Sequence, residues 1–268
     1  MFEYFDIHSH LYFPDYDGDR ENEIEKIKKA NIGTITVGTD FNSSRVAMAM
    51  AEKNDNFFAS IGQHPGEMLD DSVFDERLIS LADDKKVVAI GECGLDYFRI
   101  APMNQSVRLI QKTIFEYHID LALSVEKPLM LHIRPTEDSQ DAYSDALDIL
   151  EHHAKISGDK LKGNVHFFAG DVDVLNRFLN IGFTVSFTGV ITFTHDYDEL
   201  IEHVPLDMIM SETDSPFVAP VPHRKSRNSP LYVPIVVEKI AEIRGEPLET
   251  VKEAVIANTL RQFPGIAS

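Results

Sequence analysis

The stretch Phe5 to Phe13, FDIHSHLYF, places two histidines two residues apart on an apolar run closed by Pro14. On a regular strand side chains alternate faces, so Asp6, His8 and His10 are expected to share one face, with Ile7 and Ser9 on the other. Two imidazoles aimed at one spot suit a divalent cation, although such a pair also serves as a packed, hydrogen-bonded structural element. Further along the chain, His64, Glu92, His132, His166 and Asp214 each fall at or near the end of a short β-rich run. Four histidines (His8, His10, His132, His166) with Glu92 and Asp214 suit two borderline cations such as Zn²⁺ or Mn²⁺. Mg²⁺ is less natural at imidazole but acceptable beside carboxylates. A wet rim of merely hydrogen-bonded polar residues is the bland alternative.

Positioning such a set requires strands that converge. Eight runs read as strands: EYFDIHSH, GTITVGTD, FFASIGQHP, VVAIGECGLD, KPLMLHIRP, GNVHFFAG, FTVSFTG and LDMIMSETDSP. Between them lie amphipathic helical segments such as ENEIEKIKKAN, SSRVAMAMAEKN and QSVRLIQKTIFEYHIDLALSVEK. In the last, Val107, Ile110, Ile114, Leu121 and Val125 make one helix face, and His118 falls on that stripe as a buried structural residue. Eight strand–helix units at about 30 residues each predict a (β/α)₈ barrel, residues 1–268 as a single domain, with an extra C-terminal helix. The runner-up is an open doubly wound sheet, weakened because no G-x-G-x-x-G or Walker loop occurs. In a barrel the carboxyl ends of all strands meet at one rim, so residues scattered along the chain would share a pocket. Alternation supports this: Ile90 with Glu92, Met130 with His132, and Met208 and Met210 with Glu212 and Asp214 are each expected on one face, apolar members filling the barrel and polar ones capping it.

Composition narrows the partners. The 268 residues carry a net charge of −19, which repels polyanions and argues against broad nucleic-acid binding except through local cations. The only dense basic stretch is HRKSR, His223 to Arg227. Cys93 is the single cysteine, so no intrachain disulfide or thiolate cluster forms, and it reads as a small core residue facing away from Glu92. No apolar run approaches the roughly 18 residues of a membrane span, and the start, with Glu3 and Asp6, does not read as a secretory leader. A cytoplasmic protein with no membrane contact and no obligate protein partner is the expectation. His152, His153, His195 and His203 read as helix-surface residues.

The ordered set DIHSHL, GQHP, GECGLDY, PLMLHIRPTED, VHFFAG, VPLDMIMSETDSP and the tail RNSPLYVPIVVEKIAEIRG...NTLRQF resembles the TatD family of metal-dependent deoxyribonucleases, within the amidohydrolase-like barrels. The likeness runs over essentially the whole chain. It implies a binuclear site, with His8, His10 and Asp214 on one ion, His132 and His166 on the other, and Glu92 bridging. It also places His64, Arg134 and the RKSRN segment, with Arg224 and Arg227, near substrate phosphates. Several positions depart from the family pattern: Tyr12 stands where an acidic residue is common, Phe167 replaces a small residue or Cys, Gly66 a second His, and His118 a frequent Gln. None of these removes a proposed ligand.

Chemically, such a site activates water for attack on phosphorus, so no serine or cysteine nucleophile is needed. Asp214 is the candidate proton acceptor, or else only a ligand. Asp96 and Glu212 read as groups orienting the ligating imidazoles, or as surface carboxylates. Arg134 contacts phosphate or pairs with Asp138. The resemblance implies cleavage of DNA ends, 3′ to 5′ on single strands. A small-molecule ester, amide, lactone or phosphomonoester hydrolase is the alternative, and a noncatalytic metal-stabilised binding protein the second.

Overall fold

The computed structural model describes residues 2–68, 71–99 and 105–267. All eight predicted runs are strands: β1 (Tyr4–Ser9), β2 (Ile32–Val37), β3 (Phe57–Ile61), β4 (Val87–Asp96), β5 (Leu129–Arg134), β6 (Gly163–Val165), β7 (Thr184–Phe187) and β8 (Ile209–Ser211). They form one parallel sheet in the order β1 to β8. The sheet closes on itself where Asp214 N donates to His8 O at 2.9 Å and His10 N to Ser215 O at 2.7 Å. The architecture is therefore the (β/α)₈ barrel.

Helices α1 (Arg20–Lys29), α2 (Phe41–Lys53), α3 (Gln105–Ser124), α4 (Asp141–Ser157), α5 (Val172–Asn180), α6 (Asp198–His203), α7 (Val233–Arg244) and α8 (Leu248–Gln262) cover the strands, α8 being the extra one. Their ends follow local chemistry. Asp40 and Ser43 form a reciprocal capping box at α2, and Asp171 caps α5 through Val174 N. Gly245, in the left-handed region, ends α7. Between β3 and β4 the described residues hold only short 3₁₀ turns (Pro65–Glu67 and Glu76–Leu81), in keeping with the lack of an amphipathic run there. On α3, Val107, Ile114, His118 and Leu121 are buried, as the stripe predicts. His195 is not on a helix: it sits on a bend before α6, its Nδ1 2.8 Å from Asp198 Oδ2, because an aspartate three residues on ties it to the turn.

Side chains divide between a cluster inside the barrel, including Phe5, Ile35, Val37, Met130 and Met210, and a larger one between strands and helices, including Ile61, Leu129, Leu131 and Ile209. Each fully buried side chain of this size is worth about 1.5–3 kcal/mol.

The register breaks in three places, between β1 and β2, β3 and β4, and β4 and β5, and the first and last correct the simple alternation at the site. Asp6 pairs with Thr34 and Ser9 with Thr36, three steps on β1 against two on β2. A bulge at Ile7 and His8 therefore puts Asp6 on the face of Ser9, not that of His10. Likewise Ile90 pairs with Leu129 and Cys93 with Leu131, a bulge at Gly91 and Glu92. Ile90 consequently shares the face of Cys93, in the outer cluster, while Glu92 turns inward. Gly91 sits there at φ 146°, where an added Cβ would overlap the Met130 carbonyl oxygen, so only glycine fits.

Candidate metal centre

The two bulges deliver His8 and Glu92 to the carboxyl-end rim, where β3, β5, β6 and the segment after β8 add His64, His132, His166 and Asp214. Glu92 is the hub. Its Oε2 lies 3.5 Å from His8 Nε2 and 3.7 Å from His10 Nε2, and its Oε1 lies 3.0 Å from His132 Nδ1, 3.6 Å from His166 Nε2 and 3.5 Å from His64 Nε2. Asp214 Oδ1 stands 3.5 Å from His10 Nε2 and 3.9 Å from His8 Nε2. Asp214 holds φ 54°, a left-handed conformation that Asp tolerates better than most residues, so its carboxylate points back over β1. The inner nitrogens His8 Nε2 and His10 Nε2 approach to 3.2 Å, and the His8 and His166 rings stack with centroids 3.7 Å apart.

What binds the outer nitrogen of each ring decides which nitrogen carries the proton. His10 Nδ1 lies 2.8 Å from the Val37 carbonyl, which can only accept, so Nδ1 carries the hydrogen and Nε2 offers its lone pair inward. His132 Nε2 faces Asp96 Oδ2 at 3.0 Å, leaving Nδ1 as the lone-pair nitrogen toward Glu92. His166 Nδ1 faces both Glu212 oxygens, at 3.2 and 3.3 Å, leaving Nε2 inward in the neutral ring. Glu212 is itself fixed by Phe167 N at 2.7 Å and Ser186 Oγ at 3.0 Å. Asp96 and Glu212 thus stand behind the rings, buried, rather than on the surface.

The electrostatics suit cations. Burial pushes the Glu92 carboxyl up, but the surrounding imidazoles, His64, His8 and His132 foremost, outweigh it, leaving the group well below the carboxylate range. Asp214 follows the same pattern: burial raises it, and His10 with the neighbouring His166 and His8 carries it below its ordinary value. Burial lowers His166, yet the Glu212 charge and hydrogen bond, helped by Asp214 and Glu92, lift it to about 10. A cation binding there must displace a proton. Burial and the nearby His166 push His8 down. Burial and His132 push His64 to about 3. Ligand atoms of His8, His10 and Glu92, of His8, His166 and Asp214, and of His64, Glu92 and His132 each fall within 4.8 Å of one another. Lone-pair nitrogens, carboxylates and orienting partners are the donor set a divalent cation requires, and the residues fit it.

The site floors a cavity of about 610 Å³. Its lining includes the aromatic rings of Phe13, Tyr143, Phe167, Tyr197 and Phe217 and the polar side chains of Thr39, His64, Arg99 and Arg134. Arg134 makes no ion pair among the described residues, with Asp138 or any other, and its guanidinium lies 3.9 Å from the centre of the Phe98 ring. Arg224 and Arg227 do not line the cavity. Arg224 stacks over Phe193 and donates to Ala219 O, whereas Arg227 pairs with Asp19, donates to Asp15 O and covers Tyr16. Arg99, absent from the sequence-based set, lines the cavity with Nε 3.8 Å from Asp96. Its one signal was its place three residues beyond Asp96, directly after β4.

A family model described as TatD related DNase matches residues 5–264. The chain belongs to that family. The metal-dependent hydrolase YabD of Bacillus subtilis, itself named uncharacterized, is 36% identical over 263 residues, covering 97% of this chain and 98% of its own. The similarly named YcfH of Escherichia coli K12 is 31% identical over 264 residues, covering 96% and 94%. Among solved structures, the TatD homolog YjjV of Escherichia coli K12 superposes with a TM-score of 0.83 at 25% identity, covering 98% of both chains. An uncharacterized amidohydrolase from Saccharomyces cerevisiae, with a TM-score of 0.82 and 19% identity, shares the fold. The protein is thus a TatD-family metal-dependent hydrolase. Three of its four departures from the family pattern lie around the site, His118 being buried on α3. Phe167 lines the cavity wall, Tyr12 Oη lies 3.5 Å from His10 Nδ1 and 3.3 Å from Thr39 Oγ1, and Gly66 packs against His64. Among the described residues no helix is long and apolar enough to cross a membrane.

Proposed function

We propose that the protein hydrolyses phosphodiester bonds at the ends of single-stranded DNA, in the 3′-to-5′ direction, with two divalent cations of the Zn²⁺, Mn²⁺ or Mg²⁺ class. The observation that carries this reading is the orientation of the rings. His10, His132 and His166 each have the outer nitrogen held by an oxygen acceptor, which turns the inner nitrogen toward the two oxygens of one carboxylate, Glu92, beneath a cavity with two arginines on its wall. His8, His10 and Asp214 would hold one cation, His132 and His166 the other, and Glu92 both. Bound there, the cations supply Lewis acidity and acidify a water for attack. Asp214, facing the cavity, would accept the proton of an attacking water. Glu92 keeps its two oxygens fixed among five imidazoles. Arg99 and Arg134 hold the non-reacting phosphate oxygens. Phe217, half exposed at the mouth, gives a terminal base a face to stack on. A cavity of about 610 Å³ holds a terminal nucleotide rather than a duplex, which favours ends over internal sites. The family description, TatD related DNase, points the same way. Substrate ends bind from solution without membrane or obligate protein partner, and the reaction is assigned to the cytoplasm.

End-labelled single-stranded DNA, aryl phosphates and lactones, each assayed with Mg²⁺, Mn²⁺ and Zn²⁺, test this reading. Stepwise shortening from the 3′ end is expected. Good turnover of a small ester with inert DNA overturns it, and inertness on all substrates leaves a binding protein.

A further inference from the structure

His64 stands among the ligand atoms yet is oriented the opposite way. Its Nδ1 lies 2.9 Å from Gly66 N, and that backbone group can only donate. Nδ1 therefore bears no hydrogen, and the ring hydrogen sits on Nε2, the nitrogen that faces the cavity. An Nε2–H has no lone pair in the ring plane to give a cation. The nearest carboxylate oxygen, Glu92 Oε1 at 3.5 Å, is too far for a good hydrogen bond. The contrast with His10, His132 and His166 is complete: an acceptor ties the outer nitrogen of those three, and a donor ties that of His64. Proximity of His64 to Glu92 and His132 within 4.8 Å would by itself read as a ligand group. The donor held against its outer nitrogen argues otherwise.

We infer that the Gly66 backbone N–H locks His64 as a neutral Nε2–H donor, which gives a hydrogen bond to an oxygen of the scissile phosphate and ligates no cation. Gly66 is the positioning residue. A Cβ there would come within 2.8 Å of His64 Cε1 and 3.1 Å of Nδ1, so the ring would have to shift to make room for one. The donor role rests on the phosphodiester reading above; the tautomer and the exclusion from the ligand set do not.

Three measurements test it. Long-range ¹H–¹⁵N spectra of wild-type protein, before and after loading with Zn²⁺, should show His64 Nε2 protonated and Nδ1 bare in both states; a bare Nε2 after loading overturns the inference. Metal-stripped His64→Ala and His64→Gln proteins should take up the same number of Zn²⁺ or Mn²⁺ ions as wild type, with dissociation constants within about threefold; loss of one ion makes His64 a ligand. On single-stranded DNA, His64→Ala should lower kcat by about 100- to 1,000-fold, the usual effect of removing one donor to a developing charge. His64→Gln, which restores an N–H at the same reach, should recover at least about tenfold of that. Failure of Gln to exceed Ala refutes the donor role. Gly66→Ala should lower kcat without changing the ion count and should alter the His64 ¹⁵N pattern; an unchanged pattern refutes the lock. If wild-type protein leaves DNA intact, the proposed reaction falls, while the spectra and ion counts still decide the tautomer.

Discussion

Replacing Asp96 by Asn tests the assignment of ring protons at almost constant volume. Asp96 is fully buried; its Oδ1 accepts from Arg99 N at 3.0 Å and its Oδ2 faces His132 Nε2 at 3.0 Å. In the amide the oxygen stays with the Arg99 N–H, since an NH₂ placed there would set donor against donor. The NH₂ then faces His132 Nε2, which becomes an acceptor, and the ring hydrogen moves to Nδ1. That nitrogen lies 3.0 Å from Glu92 Oε1, so one inward lone pair is withdrawn from the site. Loss of a partner behind a ligating imidazole costs about 10- to 100-fold in cation affinity, or about 1.4–2.7 kcal/mol. The hydrogen bond removed, one to a charged group, is worth about 1.5–3 kcal/mol, which agrees. Competition between metal-stripped Asp96→Asn protein and a chromophoric chelator for Mn²⁺ or Zn²⁺ reads the effect, with circular dichroism reporting the fold. The affinity of the ion at His132 should fall by about 10- to 100-fold while the ion at His8 and His10 stays within about threefold. A folded variant with both affinities within about twofold of wild type refutes the idea that Asp96 sets the His132 tautomer.

His118 predicts an acid limb in stability. Its Nδ1 faces Ile114 O at 2.8 Å and its Nε2 accepts from Gln63 N at 3.0 Å, and burial depresses it from 6.5 to about 4. A histidine depressed in the folded state favours folding above its unfolded value, and that contribution is lost as pH falls from 6.5 through about 4. The loss is on the order of 3 kcal/mol. His118→Gln should stay folded and flatten this limb in urea titrations between pH 7 and 4, and an unchanged limb refutes the assignment. The arginines should separate by assay. Arg134→Ala should weaken single-stranded DNA binding and make its log–log salt slope shallower by about 0.7, the share of one phosphate contact. Arg227→Ala, whose side chain is tied to Asp19, should lower the melting temperature and leave that slope unchanged. The reverse pattern would place phosphate at Arg227.

The fold was readable because periodicity is a local signal. Each of the eight strands carries its own β-branched or apolar run, and α3 shows its buried stripe within twenty residues. The acids and imidazoles at the strand ends were readable for the same reason, since a barrel brings all such ends together. Facing was not. Alternation predicts Ile90 and Glu92 together, but one inserted residue at Gly91 and Glu92 reverses it, and a bulge leaves little trace beyond a glycine. Partners distant in sequence were equally hidden. Arg227 reads as a free basic residue until Asp19, 208 positions away, is folded against it. Arg99 reads as one more surface arginine until β4 carries it to the cavity.

The same two irregularities explain why the centre works as a unit. A regular β1 would put Asp6 and His8 on one face, and a regular β4 would send Ile90 inward with Glu92. The bulge in β1 instead frees Asp6 to accept from His8 N, Thr213 N and Thr213 Oγ1, tying β1 to the segment that carries Asp214. The bulge in β4 turns Glu92 among five imidazoles while Cys93 stays in the outer core. With the outer nitrogens of His10, His132, His166 and His64 held by a carbonyl, two carboxylates and a backbone N–H, ring orientation precedes the arrival of any ligand. Binding then has little side-chain freedom left to remove, which is the physical meaning of a preorganised site. It follows that a substitution behind a ring should perturb function nearly as much as one in front of it, although only the front residues touch a ligand.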